Sequence, residues 1–486
     1  MSIRTASPTP TRPQQLRDAW PALIGICLTM LVEMVDNSIL NVAIPVIGRE
    51  LHSTATGLQW ITSAYSLCFG GLLMIGGTVG DKFGRKRVLT IGLSFFALFS
   101  LGVLLVNSTG ELIAIRALTG AAAALIAPLN ISLLFRLFED AKLRQRSMGI
   151  VITVSMIGFA IGPTLSGLAI EHMHWHWLLL VNAPVSAIAL VAVIIGIPGD
   201  KAEDLRSGTV DYLGGILSAT GLASLLYALT LGADQGWDTS RTWVMIILGL
   251  ILLGLFIWRE RSIPDPMLNL DFFKNPVISG STLMQISSNL VMAGIMFATA
   301  QLYQYAWGWS PMKAGIANLP FVIGMLAAGT FADDITEKHG LRKACSIGIA
   351  SMLISLALWY IGVGNGYLLC AIGSLFLTVG MRFVVTAAAV ALMGELPEDF
   401  TSMGSALNDT VQEVGSAIGV AIIGTVMAIV IGNELPTGAW SAAAQAAFVS
   451  SQHWALGIIG LIVVITSAIG LSVLGKVKAP TETQNA

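Results

Sequence analysis

Fourteen apolar runs, each near the length of a lipid hydrocarbon layer, leave this chain little choice of fold. They fall at about 19–44, 58–79, 88–107, 111–137, 147–171, 178–198, 212–232, 242–259, 277–306, 312–332, 344–363, 367–393, 403–431 and 454–475. At 1.5 Å rise per residue, roughly twenty apolar residues span the bilayer interior as a helix. Only helices and closed barrels satisfy their backbone groups in lipid, and runs of this length are helical. The predicted class is therefore an all-α integral membrane protein. Composition agrees: 55% of residues are hydrophobic and only 11% charged, against about 25% charged in soluble domains.

Basic residues orient the helices. Arg4, Arg12, Arg17, Lys82, Arg85, Lys86, Arg87, Arg136, Lys142, Arg144, Arg146, Lys201, Arg206, Arg259, Arg261, Lys274, Lys338, Arg342, Lys343, Lys476 and Lys478 fall on one side. Arg49, Arg241 and Lys313 fall on the other, and Arg116 and Arg382 lie within helices. The positive-inside rule then places both termini in the cytoplasm. The expected division is a disordered cytoplasmic tail at 1–18, a six-helix bundle at 19–198, a linker with two extra spans at 199–276, a second six-helix bundle at 277–475 and a tail at 476–486. An internal repeat supports the two bundles. The 80–87 loop has an echo at 331–343, and Arg116 has a counterpart in Arg382, both about 250–270 residues downstream.

Several functions are excluded or disfavoured. A net charge of −2 gives no reason to expect a nucleic-acid partner. Cys27, Cys68, Cys345 and Cys370 sit in or beside apolar runs without a CxxC pair and read as small buried hydrophobes. The alternating His172, His174 and His176 fit a membrane-edge loop better than a metal site. No phosphate-loop motif occurs, so active transport would draw on a gradient. No nucleophile–base spacing suggests an intramembrane enzyme. No cofactor is expected, and protons are the expected coupling ion.

The first run contains Glu33 and Asp36, three apart and so on one helical face. A charge at a membrane helix centre costs about 2.5–3.5 kcal/mol. Such a residue faces a protein interior as a proton, ion or substrate site, or pairs with a buried Arg as packing; both readings stand for Glu33 and Asp36. Arg116 needs a carboxylate or carbonyl partner and cannot lose its proton. It either biases carboxylates such as Asp36 toward ionisation or snorkels to the interface. Asp409 and Glu413 lie one turn apart on one face of the thirteenth run. Two such carboxylates repel when both are ionised, so a proton and a cation compete for the same charge. Trp60, Tyr65, Asn130, Gln301, Tyr303, Gln304 and Tyr305 are candidates to line a cation cavity, ring faces attracting cations by roughly 0.5–2 kcal/mol. An aromatic interface belt is the alternative for most of them.

Two glycine patterns complete the set. Gly77, Gly80, Asp81, Gly84, Arg85, Lys86 and Arg87 join the second and third spans. Glycine permits a tight turn and close helix approach, and Asp81 can accept from a helix N-terminus or an Arg as a breakable latch. Gly149, Gly158, Gly162, Pro163 and Gly167 lie in the fifth span, where proline kinks the backbone and small residues let another helix close in.

The 77–87 loop resembles the signature between the second and third helices of the major facilitator superfamily. Residues 36–45, Asp36-Asn-Ser-Ile-Leu-Asn-Val-Ala-Ile-Pro45, resemble the D-x-T-x-x-N-V-A-L-P signature of its fourteen-helix drug:proton antiporters, with Ser38 for the usual Thr. Arg116 to Gly120 is similar to the R-x-x-x-G element of the fourth helix, and Asn182 with Pro184 also fits the family pattern. The Gly149–Gly167 spacing resembles the antiporter motif G-x8-G-x3-G-P-x2-G-G, with Ser166 in place of one glycine. The resemblance implies two six-helix bundles plus two inserted helices. It also implies proton-coupled export of hydrophobic or cationic small molecules by alternating access, with the fifth-helix motif sealing the bundle interface and the protein acting as a monomer. The residues alone leave open a proton-coupled transporter of a neutral or anionic metabolite, and a non-transporting membrane sensor.

Overall fold

The computed structural model describes residues 15–138, 140–200, 211–237, 239–264, 266, 268, 270–395, 401–432 and 440–474. The expected tails fall almost wholly outside this range, as does most of the 199–211 connection. Seventeen α-helices follow in order: α1 (Trp20–Glu50), α2 (Ala55–Phe83), α3 (Arg85–Gly102), α4 (Thr109–Ala124), α5 (Ala127–Leu137), α6 (Ala141–Ile170), α7 (His176–Leu180), α8 (Asn182–Gly196), α9 (Tyr212–Gln235), α10 (Ser240–Glu260), α11 (Pro276–Gln301), α12 (Pro311–Ile316), α13 (Leu319–His339), α14 (Leu341–Asn365), α15 (Tyr367–Gly394), α16 (Thr401–Ile431) and α17 (Ala442–Leu474). No strand occurs among the described residues.

Each apolar run becomes a helical segment, some of them broken. The fourth is split into α4 and α5 just before Pro128, the sixth into α7 and α8 before Pro184, and the tenth into α12 and α13 before Pro320. Proline lacks the N–H for the interrupted hydrogen bond, so the break falls where the chain can least continue. Thirteen spans are long and apolar enough to cross a membrane among the described residues. The remaining run forms α9, a 24-residue helix whose described apolar stretch is Tyr212–Leu225.

Side chains fix the helix starts. Ser108 and Glu111 form a reciprocal capping box on α4, and Asp140 accepts from Leu143 N at 2.8 Å. The turns after the second and tenth spans are one residue long, at Gly84 (φ 105°) and Gly340 (φ 79°). A β-carbon is strained in that region, so both positions call for glycine. The same device at the same place in each half gives the sequence repeat a structural counterpart.

Helices α1–α8 pack as one six-span bundle and α11–α17 as another, with α9 and α10 paired and α9 lying against α2 and α16. The bundles meet along two seams, α6 with α12 and α2 with α16, and α1 runs beside α11 between them. Outside, Leu105 and Ile195 are over 70% exposed, beside exposed Leu98, Leu104, Ile188, Trp258 and Trp454. A continuous apolar coat of this kind is stable only against lipid.

Candidate functional site

The two seams are drawn shut differently at the two ends. At the end carrying Glu50, Gln304 Nε2 donates to Val42 O at 2.7 Å and Tyr305 Oη donates to Pro45 O at 3.3 Å. Both residues belong to a π-helical turn, Leu302–Ala306, that ends the ninth span and turns these polar tips onto α1. Gly167 and Gly315 bring α6 and α12 together so closely that a β-carbon on Gly315 would lie 2.8 Å from Pro163 O. Thr164 Oγ1 then donates to Gly315 O at 3.2 Å.

In the antiporter-like motif the glycines divide their work. Gly158 and Gly162 face α1, at Leu31 and Ser38, and Gly167 faces the second bundle. Gly149 has open space around it. Pro163 lies within α6 without ending it.

Deeper between the bundles, Asp36 is held from two sides. Arg116 Nη1 donates to Asp36 Oδ2 at 2.6 Å and Asn182 Nδ2 to Asp36 Oδ1 at 2.5 Å. The carboxylate is 1% exposed and the guanidinium 3%, which rules out snorkelling for Arg116. Arg116 also lies over the Tyr65 ring, 4.4 Å from its centroid. Tyr65 is brought there by Gly120, where a β-carbon would overlap the Tyr65 backbone. Asp36 and Arg116 thus form a buried ion pair with a second donor on the carboxylate.

Three further carboxylates gather on it. Glu33 interacts electrostatically with Asp36, Asp409 and Glu413. One helical residue turns the chain by about 100°. On α16, Gly415 and Gly419 pack against α11 at Ile286 and Leu290. Glu413, two residues back, therefore points the opposite way, onto Gly70 of α2. Ser66 of α2 hydrogen-bonds Glu413. Asp409, one turn below, is half-buried and accepts from Asn408 Nδ2 at 3.0 Å, and Asn408 in turn accepts from Gln285 Nε2 at 2.7 Å. Glu33 and Glu413 are both buried, and Oε2 of each has no hydrogen-bond partner among the described residues. Four carboxylates thus share one neighbourhood with a single guanidinium. Charges of one sign this close and this dry need a proton or a bound cation to balance them.

The aromatic and amide candidates do not share one cavity. Tyr65 belongs to the acid cluster, and Asn130 is buried with Nδ2 on Met30 Sδ at 3.2 Å. Gln301 turns back on its own helix, at Phe297 O. Tyr303 stacks among Trp307, Trp309, Trp359 and Tyr367 near the Glu50 end. Gln304 and Tyr305 close the seam, and Trp60 faces Tyr227 of α9.

At the other end Asp81 takes an Arg, one of its two expected partners, and a different carboxylate serves the helix N-terminus. Asp81 pairs within its own segment, with Arg85 Nε at 2.8 Å. The acceptor for the N-terminus of α3 is Asp200, which takes Lys86 N at 3.3 Å, Arg87 N at 3.2 Å and Arg136 Nη1 at 2.9 Å. Lys86 Nζ caps the end of α8 at Ile194 O and Ile197 O. Gly80 admits the Leu129 side chain and Gly77 leaves an ordinary contact to Pro128. Sequence reasoning missed Asp200 because its partners lie 64 to 114 residues away. Asn182 had a weaker signal, as a lone amide between apolar neighbours at the start of α8. Ser66 and Gly70 gave none.

Two bundles with an ion-paired, acid-rich interior define a membrane transporter of the alternating-access type. Residues 26–420 match the Major Facilitator Superfamily, and the chain belongs to that family. Puromycin resistance protein pur8 of Streptomyces alboniger is 29% identical over 412 residues, covering 84% of this chain and 81% of that one. The multidrug efflux pump LfrA of Mycolicibacterium smegmatis is 28% identical over 419 residues, covering 86% and 81%. Among solved structures, the POT family transporter PepTSo superposes with a TM-score of 0.67 at 13% identity, over 96% of this chain and 100% of that one. The nucleoside transporter NupG gives 0.62 at 14%, over 93% and 99%. These two show the shared fold.

Proposed function

We propose that this chain is a proton-coupled exporter of hydrophobic, cationic small molecules. The observation that carries the reading is the pair of buried carboxylates, Glu33 and Glu413, each with an unpartnered oxygen beside the fixed Asp36–Arg116 pair. A cation bound there balances the excess negative charge, and a proton does the same. The two therefore exclude each other, and exchange follows when the site faces each side of the membrane in turn. Relatives that resist or export drugs support this choice over a neutral or anionic metabolite. Asp36 anchors Arg116. Glu413 is the group that trades proton for cargo, with Glu33 and Asp409 adjusting the field around it.

The chain divides into bundles at 19–198 and 277–475 with the inserted pair between, and acts as a monomer, since both halves of the site come from one polypeptide. The basic segregation puts the Gly84 end in the cytoplasm and the Glu50 end outside. The Gln304, Tyr305 and Gly167–Gly315 contacts are then those that break for release. The test is efflux of ethidium from cells carrying Glu413→Gln or Glu33→Gln at matched expression. Wild-type efflux should stop with a protonophore, and Glu413→Gln should lower it at least tenfold. Protonophore-insensitive efflux, or a wild-type rate in Glu413→Gln, would overturn the proposal.

A further inference from the structure

The inserted pair α9–α10 leaves a chamber between itself and the α2–α16 seam. Its volume is about 400 Å³, inside the range of small-molecule sites. Gly71 sets the hairpin's closest approach, a β-carbon there lying 3.1 Å from Ala219 of α9. α9 and α2 meet again where Tyr227 faces Trp60, and the chamber lies between the two contacts. The walls are Leu67, Leu222, Leu225, Ile246 and Ala417, and Glu413 lies at the inner side with Ser66. Leu67, Leu222, Leu225 and Ile246 are only half-buried, so the chamber reaches the lipid-facing surface. Glu413 itself is 8% exposed and its Oε2 has no partner among the described residues.

The opposite seam is packed differently. There α6 and α12 touch backbone to backbone at Gly167 and Gly315. The α2–α16 seam is also closely packed, a β-carbon on Gly70 falling 2.9 Å from Glu413 Cβ, and the two extra helices add an apolar chamber on its flank that Glu413 helps to line.

We propose that this chamber is a lateral portal, through which a hydrophobic cation already dissolved in the bilayer passes between α9–α10 and the α2–α16 seam to reach Glu413. The apolar walls take the hydrocarbon groups, and the free carboxylate oxygen supplies the complementary charge. The cation never crosses an aqueous mouth on entry. The inserted pair then has a task, to wall the chamber on the flank of a seam that stays packed. This inference rests on the exporter reading above and assigns its entry route.

The experiment uses full-length protein in proteoliposomes with tetraphenylphosphonium as the probe. Leu225→Trp fills the passage without touching Glu413 chemistry and should slow initial transport at least tenfold. Leu250→Trp, on an outward position of α10 that is 59% exposed, controls for added bulk and should stay within twofold of wild type. In Leu225→Cys protein, modification at position 225 is read by mass spectrometry. A membrane-permeant maleimide should label it, a membrane-impermeant one should not, and tetraphenylphosphonium should protect at least fivefold. Wild-type rates in Leu225→Trp, labelling by the impermeant reagent, or absence of protection overturn the portal. The last result is also the one expected if a lipid acyl chain fills the space. The exporter reading fails separately, if wild-type vesicles do not move the cation or Glu413→Gln moves it normally.

Discussion

Replacing Asp36 by Asn removes one charge and leaves its partner where water does not reach. Arg116 is 3% exposed and loses its only carboxylate contact at hydrogen-bond distance among the described residues. Breaking one side of a buried ion pair costs roughly 3–5 kcal/mol, because the remaining charge is uncompensated. The Tyr65 ring at 4.4 Å returns only about 0.5–2 kcal/mol of cation–π attraction, and it does so in wild type as well. An Asn oxygen can accept from Arg116 or from Asn182, and its amide then faces the other donor. Asp36→Asn should therefore lower stability by roughly 3 kcal/mol or more. Arg116→Gln added to it removes the stranded charge, so the double variant should be less damaged than the sum of the singles by roughly 1–3 kcal/mol. The assay is the apparent melting temperature of purified protein in detergent for both singles and the double. The reasoning is refuted if Asp36→Asn melts with wild type, or if the double loses the full sum.

Other outcomes follow from the same geometry. Tetraphenylphosphonium should bind most tightly at high pH and weaken as pH falls, because protonation removes the charge it needs, and Glu413→Gln should abolish that dependence; equilibrium binding against pH measures it. Asp200→Ala should cost about 1–2 kcal/mol, since Asp200 caps α3 and holds Arg136. Thermal unfolding measures it, and a wild-type melting temperature would remove the assignment of Asp200. Gly315→Leu should fold yet stop transport by holding α6 and α12 apart, with Gln304→Cys in that background newly reactive toward an impermeant maleimide from the Glu50 end.

The span count and helical class were legible in the sequence because lipid imposes one rule on every segment. A run of about twenty apolar residues has no other way to satisfy its backbone there. The acids were legible for the same reason, since Glu33, Asp36 and Glu413 stand out wherever charge is expensive. The glycine patterns at 77–87 and 149–167 announced turns and close packing through what they lack, a side chain.

What the sequence left open were relations between distant residues. No local signal makes Asn182 the second donor to Asp36, or Asp200 rather than Asp81 the cap of α3. Nor does one separate Tyr303, in an aromatic stack, from Gln304 and Tyr305, which bridge the bundles. Those outcomes depend on which face each helix turns to its neighbours, and rotation about a helix axis is decided by packing. The chain alone determined that charges would lie in the membrane. Only the tertiary structure decided that Arg116 pairs with Asp36 and leaves Glu413 without an ion-pair partner among the described residues, because pairing needs two helices brought within hydrogen-bond reach.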